Sequence, residues 1–380
     1  MCLSCRLSHV KSPKAIKALT WTSIGIVLVA TFAWVGLGRI SGAITRVSVF
    51  DSLVNRPEKA SSAVTYLVVG SDTREGLSAA ELRQLRVGTT KTAAGARSDT
   101  MMLVHISKSR DRAVVISIPR DSLVTIPAHI GMDGKSQVPE LQSKINAAFA
   151  WGGAPLLIQT IEKKTNLRID HYVEVNFAGF KNVVDALGGI QVCSKVAIND
   201  PKSHLVMSAG VHTLNGIEAL KYVRTRDFDG LGDIGRMQRQ QQFVSAVFRK
   251  ATSTGVLLNP FKVKSLISAV FKTVKTDETL DQGDIVNLAK QIRNLSPGKM
   301  RTMTIPLGTS NGYVDGVGSV VIWHETLAPE LFNRLRNDQP VVDEASPSAK
   351  ATKKASASPS VIDKFKTSTA SENLCGSIKY

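Results

Sequence analysis

Apolar positions along this 380-residue chain follow two kinds of pattern. The first is a single unbroken run. Residues 18–38 carry no charge and lie between Lys17 and Arg39. At about 1.5 Å rise per residue the run matches the roughly 30 Å hydrocarbon core of a bilayer. It predicts a transmembrane helix over residues 18–40, with Trp21 and Trp34 near its ends, where amphipathic rings favour the interface. A cleaved signal peptide would have a shorter apolar run and a small-residue cleavage site, and no clean A-x-A site follows this one.

The second pattern is an alternation of short apolar runs with helical periodicity. Runs at 64–69, 101–106, 114–118, 172–175, 190–193 and 300–306 predict strands. Apolar spacing predicts helices at 155–166, 177–187, 216–223, 234–250, 260–274, 283–295 and 327–335, and a helix start at Lys144-Ile145-Asn146. Such alternation predicts an α/β domain over residues 64–337. Residues 41–63 read as a polar linker. From Asp338 the composition shifts to Ser, Ala, Lys and Pro. That predicts a disordered tail over 338–380, with at most a small docking piece near Leu374 and Cys375.

Charge adds a direction and a partner. The formal net charge is +17. Residues 1–17 hold Arg6, Lys11, Lys14 and Lys17 and no acid, so the positive-inside rule keeps this tail cytoplasmic and the domain outside the cell. Most of the positive excess lies in the body of the chain, which calls for an anionic partner. Cys2 and Cys5 fall on the cytoplasmic side. Cys193 and Cys375 fall outside and could pair, but their spacing does not decide it.

The candidate chemistry gathers in residues 221–242, KYVRTRDFDGLGDIGRMQRQQQ, with Arg224, Arg226, Arg236 and Arg239 around a Gly/Asp loop. The guanidinium fork matches two oxygens of one phosphate or carboxylate. A solvated basic surface is the plainer reading of this stretch taken alone. Strands 101–106 and 114–118 are joined by a short charged turn and so predict an antiparallel hairpin. A hairpin sets Asp99 beside Arg120, with Arg97 close by. Asp72 follows the first strand. Asp72 and Asp99 resemble a Mg²⁺ site, since Mg²⁺ is commonly held by one or two carboxylates and substrate phosphate; Asp233 is a weaker third. Metal and guanidinium groups together equip a site for phosphoryl transfer. No Ser-His-Asp order, nucleophile elbow or Walker loop is present. An extracellular position and the lack of paired aromatics disfavour nucleic acid.

The motifs GSDTR (70–74), RSDTMMLVHI (97–106), IPRDS (118–122), KINAA (144–148), HTLNGIEALKYVRTR (212–226) and GDIGRMQRQQ (232–241) resemble the LytR-CpsA-Psr family of cell-wall glycopolymer ligases, of the actinobacterial type. The resemblance implies an α/β/α sandwich around a mixed sheet, with an apolar tunnel for a lipid. It implies transfer of a glycopolymer from a polyprenyl-pyrophosphate carrier to peptidoglycan, at a muramic acid 6-hydroxyl, by a single-pass membrane protein. By similarity Arg97, Arg120, Lys144, Arg224, Arg226, Arg236 and Gln240 would bind pyrophosphate, Asp72 and Asp99 would hold Mg²⁺ or Mn²⁺ or else keep the head-group arginines in place, and Asp72 or Asp233 would take the acceptor proton. Pyrophosphate hydrolysis is an expected side activity. Two other readings stand beside this one: a non-catalytic binder of wall polymer or lipid carrier, and a transcriptional attenuator. The second fits poorly with so short a cytoplasmic tail.

Overall fold

The computed structural model describes residues 45–87, 98–253, 274–281, 283–284, 287–288, 295–343, 363–372 and 375. The expected membrane span, Arg97 and all but the last residue of the helix expected over 260–274 lie outside them. Among the described residues no helix is long and apolar enough to cross a membrane.

Eight described strands form one mixed sheet. They are β1 (Thr45–Val47), β2 (Val64–Ser71), β3 (Ser98–Ile106), β4 (Ala113–Ile118), β5 (His171–Val175), β6 (Val274–Asp277), β7 (Met300–Thr304) and β8 (Ser368–Thr369). Their order is β1-β6-β5-β2-β3-β4-β7-β8. β2, β3 and β4 form an antiparallel meander, while β5 joins β2 and β7 joins β4 in parallel. All six residues of β4 are buried. A strand covered on both faces reads as a continuous apolar run, which is why period-two alternation is absent there.

Successive side chains of the sheet supply two cores. Leu67, Val69, Leu103 and Ile116 pack against α2 (Ile145–Thr165) and α6 (Leu327–Arg336). Tyr66, Met102 and Val115 pack on the opposite face with Phe248 of α5 (Gly232–Ser253). The architecture is therefore helix, sheet, helix. A third cluster unites α1 (Ala79–Leu85), α3 (Phe177–Ala186) and α4 (Gly216–Tyr222) around Leu85, Val184 and Leu220. α4 starts with an Asn215/Glu218 capping box, and a Cβ on Gly216 would stand 2.5 Å from the Lys181 carbonyl oxygen. That close approach fixes α4 on α3. α2 bends at Gly152–Gly153, just ahead of Pro155, whose ring cannot follow a regular turn.

Two boundaries differ from the sequence expectation. The linker over 41–63 is partly structural: β1 pairs with β6, Val49 is wholly buried, and Arg56 forms a 2.7 Å ion pair with Glu162. Its apolar positions are too few to register as a strand, and a partner in the second half of the chain completes them. The tail over 338–380 is also folded in part. β8 adds to β7, Phe365 and Ala370 are buried, and Cys193 pairs with Cys375 across 6.1 Å between Cα atoms. A compositional reading averages such a short docking segment into its surroundings. Residue 274 begins a strand and does not end a helix. The 190–193 run pairs with Gly210–Leu214 in a separate hairpin.

Burial also makes the fold sensitive to acid. His105 of β3 is buried, with Nδ1 3.0 Å from Thr65 Oγ1. Burial pushes its imidazole down to about 4; Asp338 and Asp170 oppose that, and Arg112 and Arg110 add to it. The folded state therefore binds fewer protons than the unfolded state between pH 6.5 and 4. Stability should fall by about 3 kcal/mol across that window as pH drops. Urea unfolding at successive pH values should show this slope, and a His105→Gln variant should flatten it.

Candidate active site

The site forms where strand ends meet two helix ends. β2 closes on Gly70 and Ser71, with Asp72 just beyond. The register Met101↔Ile118, continued two residues, sets Asp99 opposite Arg120. The backbone thus places this pair as the hairpin argument expects; the Asp99 side chain lies outside the described residues. α5 brings Asp233, Arg236 and Gln240, and the end of α4 brings Arg224 and Arg226.

Asp233 is the node. Its carboxylate lies 3.3 Å from Arg120 Nε, 3.4 Å from Arg226 Nε and 3.4 Å from Arg236 Nη2. Arg120 Nε is also 3.4 Å from Asp121, and Lys144 Nζ lies 3.5 Å from the other oxygen of Asp121. Charges alternate along this line. Among these described pairs, Arg120, Lys144, Arg226 and Arg236 share the carboxylates of Asp121 and Asp233. The separations exceed the roughly 2.7–2.9 Å typical of tight charge-assisted bonds. A phosphate oxygen can therefore compete for these donors. Arg236 is only 3 % exposed, and Asp233 is 37 % exposed. The buried guanidinium sits below, and its counter-ion faces the opening.

Local structure explains the placement. Asp233 occupies the first turn of α5, where the helix dipole favours a carboxylate. The segment carrying Arg226 hangs on Asp200, which is 1 % exposed. One oxygen of Asp200 accepts from the backbone N–H groups of Arg226 at 2.5 Å and Asp227 at 2.7 Å. The other accepts from Lys202 at 3.0 Å and Ser203 at 2.6 Å. Burial pushes this carboxyl up, but the backbone donors outweigh it and hold it at about 2. Arg239 donates from Nη2 to the Thr225 carbonyl at 2.7 Å, pairs with Asp229 and covers the Phe228 ring. Arg239 thus shapes the loop, and Gly235 lets the loop lie against the helix, since a Cβ there would stand 2.9 Å from Asp229.

Two cavities meet at Arg236. One, of about 390 Å³, is walled by Val68, Met102, Phe177, Phe180 and Phe243, with Arg224 and Arg226 at its rim. The Arg224 guanidinium lies 5.1 Å over the Phe177 ring. The other, of about 220 Å³, is lined by Arg120, Asp121 and Asp233, and by Ser310 and Ser319 of the Leu307–Val314/Gly318–Trp323 hairpin. Thr100, Arg236 and Gln240 border both. Gln240 Nε2 donates to Thr100 Oγ1 at 3.0 Å and to the Val223 carbonyl at 3.2 Å. Gln240 therefore braces the partition between the cavities with its amide nitrogen.

The structure thus brings Arg120, Lys144, Arg226, Asp233 and Arg236 into one network and sets Arg224 at its apolar side. Asp121, Asp200 and Phe177 were not singled out by sequence reasoning. Asp121 lies in the quoted IPRDS motif. Asp200 had no signal beyond an Asp before a Pro/Ser turn. Ser71↔Ser98 register sets the chain at Asp72 near the start of β3. Among the described residues no group of three or more His, Cys, Asp or Glu gathers as a metal site.

Fold and site together define an α/β/α domain that sets a cluster of arginines around Asp233 at the mouth of an apolar cavity. The sequence matches the model of the LytR_cpsA_psr family over residues 42–337, and the chain belongs to that family. It is 38 % identical over 315 residues to the probable cell wall biosynthesis protein LcpB of Corynebacterium glutamicum, covering 79 % of this chain and 71 % of that one. It is 34 % identical over 244 residues to the polyisoprenyl-teichoic acid–peptidoglycan teichoic acid transferase TagU of Bacillus cereus, covering 63 % and 72 %. Among solved structures, TagT bound to LIIa-WTA superposes with a TM-score of 0.55 at 27 % identity, covering 77 % of this chain and 99 % of that one; TagT is a Bacillus subtilis protein.

Proposed function

We propose that this protein transfers a glycopolymer from a polyprenyl-pyrophosphate carrier to a peptidoglycan hydroxyl outside the cell, anchored by the apolar run at 18–40. The observation that carries the reading is the position of Arg236 between an apolar cavity and a charged one. An amphipathic donor fits that arrangement: its lipid in the first, its pyrophosphate against Arg224, Arg226, Arg236 and Arg120. The relatives' names, which speak of polyisoprenyl-linked teichoic acid and peptidoglycan, support the same substrate classes.

In the proposed step the acceptor hydroxyl oxygen attacks the phosphorus next to the glycan. A new P–O bond forms, the bridging P–O bond breaks, and the lipid leaves as its phosphate. Incoming phosphate oxygens take over the guanidinium donors that Asp233 holds, and the released carboxylate accepts the hydroxyl proton. Mg²⁺ or Mn²⁺ held by Asp72 and Asp99 would neutralise pyrophosphate charge. Two carboxylates at neighbouring strand ends suit one such ion when phosphate completes the shell. With water in place of the acceptor the same site would hydrolyse the donor.

The test supplies the full chain with a lipid-pyrophosphate-linked glycan, peptidoglycan and Mg²⁺. A phosphodiester-linked product with release of polyprenyl phosphate is expected by mass spectrometry. Tight donor binding without turnover would leave a binder, and the transferase reading would fall.

A further inference from the structure

A third cavity, of about 510 Å³, follows the charged one along α5 and shares Ile234, Met237 and Leu307 with it. The three cavities thus run in sequence, the first mostly apolar, the second holding Arg120, Asp121 and Asp233, and the third mixing amides and hydroxyls with apolar walls. The third differs in kind. Gln238, Gln242, Ser245, Thr302 and Thr304 line it with amides and hydroxyls. Gln241 Nε2 donates to Ser117 Oγ at 3.0 Å and to Thr304 Oγ1 at 2.8 Å, which locks helix to sheet along its floor. Gln238 and Gln242 lie four residues apart on one face of α5, about one turn of 5.4 Å. Its outer wall is the docked C-terminal segment. β8 holds that segment to β7, Arg249 Nη1 donates to the Ala370 carbonyl at 2.6 Å, and the Cys193–Cys375 bond ties its end.

We infer that this groove holds the glycan strand of the acceptor, a polymer of N-acetylated sugars. The inference rests on the transferase reading above. In phosphoryl transfer the attacking and leaving oxygens lie roughly in line through phosphorus. The leaving lipid phosphate points into the apolar cavity. The attacking hydroxyl must then enter from the opposite side of Arg236, in the charged cavity. The rest of the acceptor extends into the space onto which that cavity opens, and this is the third groove. A groove that sets amides and hydroxyls beside apolar walls such as Tyr222, Ile305 and Phe365 suits a sugar chain, whose rings present hydroxyl edges and apolar C–H faces. The arginine cluster next door suits the phosphates. The docked tail thereby becomes part of the acceptor site.

The test uses the full chain in detergent and two probes. The first is a soluble tetrasaccharide of alternating N-acetylglucosamine and N-acetylmuramic acid with its lactyl carboxyls amidated, free of lipid and phosphate. The second is polyprenyl pyrophosphate. The Gln238→Leu/Gln242→Leu double variant should bind the tetrasaccharide at least tenfold more weakly by calorimetry, with lipid pyrophosphate binding within twofold of the parent. Ser368→Trp, an exposed change on the wall that narrows the groove, should do the same without touching α5. The proposal is overturned if both variants bind the tetrasaccharide as the parent does, or if the parent binds lipid pyrophosphate and no tetrasaccharide. With a glycan-bearing lipid pyrophosphate added as a third probe, its weaker binding to the variants with undisturbed tetrasaccharide binding would assign the groove to the donor and overturn the proposal too. A parent chain that takes up no lipid pyrophosphate would instead sink the transferase reading, and the tetrasaccharide arm would still report on the groove.

Discussion

Arg236→Lys is expected to lower glycopolymer transfer about 10²–10³-fold, the usual cost of removing one preorganised donor from a developing charge. Lysine keeps the positive charge. It loses the planar fork, and with it the ability to serve two oxygens at once. The position magnifies that loss. Arg236 is nearly buried and borders both cavities, and its Nε has no hydrogen-bond partner among the described residues. A buried donor left unmade costs about 1–3 kcal/mol, which a bound phosphate oxygen would recover. Asp233 retains Arg120 and Arg226 in the variant, so the fold should survive. Single-turnover release of polyprenyl phosphate measures the effect, with thermal melting as the control. A lysine variant within fivefold of the parent would remove Arg236 from the transfer step.

Asp200→Ala is expected to abolish donor binding and to lower stability by about 3–5 kcal/mol, although Asp200 lines neither cavity that meets at Arg236. The substitution strands four backbone N–H groups, those of Lys202, Ser203, Arg226 and Asp227. It also frees the segment that aims Arg226 at Asp233. Asp200→Asn separates the two effects. An amide fills the same volume but presents one accepting oxygen, so it should hold one pair of N–H groups and repel the other. The acid limb carries a further signature. The native carboxyl is held at about 2, below its unfolded value of about 3.9. The folded state therefore binds fewer protons, and the stabilisation is complete above about pH 4 and lost as pH falls through 2. The Asn variant should lack that loss. Lipid pyrophosphate binding and urea titration at pH 7 and pH 3 provide the measurements; an Ala variant that binds donor normally would make Asp200 a structural residue only.

Much of this was legible in the sequence, and the reason differs from element to element. The β3–β4 hairpin follows from two apolar runs and a charged turn, so the meeting of Asp99 and Arg120 follows from register alone. The arginines at 224, 226 and 236 were visible because guanidinium groups rarely cluster around a Gly/Asp loop. Asp200 was not visible. Its role depends on contact with the distant backbone of Arg226 and Asp227, and one aspartate in a turn looks like any other. β1 and β8 were hidden for a related reason. Strands this short carry no periodicity, and each is defined by a distant partner. Arg239 stands outside the expected pyrophosphate set, and a shift of less than one turn from Arg236 does carry it from the cavities to the loop. The partition at Gln240 could be read only once both cavities had walls.

The strand order also dictates when the site can exist. β2, β3, β4 and β5 pair within residues 64–175: β3 and β4 are joined by a short turn, α1 lies between β2 and β3, and α2 lies between β4 and β5. β4 ends at Ile118 and must wait for β7, which begins at Met300; β1 ends at Val47 and must wait for β6, which begins at Val274. Closing a loop costs about 0.6 kcal/mol for each doubling of its length, so the β1–β6 pairing costs about 3 kcal/mol more than the turn between β3 and β4. High sequence separation of this kind slows folding, and it leaves both flanks of the central strands unpaired in the meantime. The segment from Asp200 to Gln240 falls between the early and late pairings. A chain halted before the outer strands close would present open sheet edges to its neighbours and hold no lipid. Under the transferase reading, topology alone would keep half-folded molecules from sequestering the carrier.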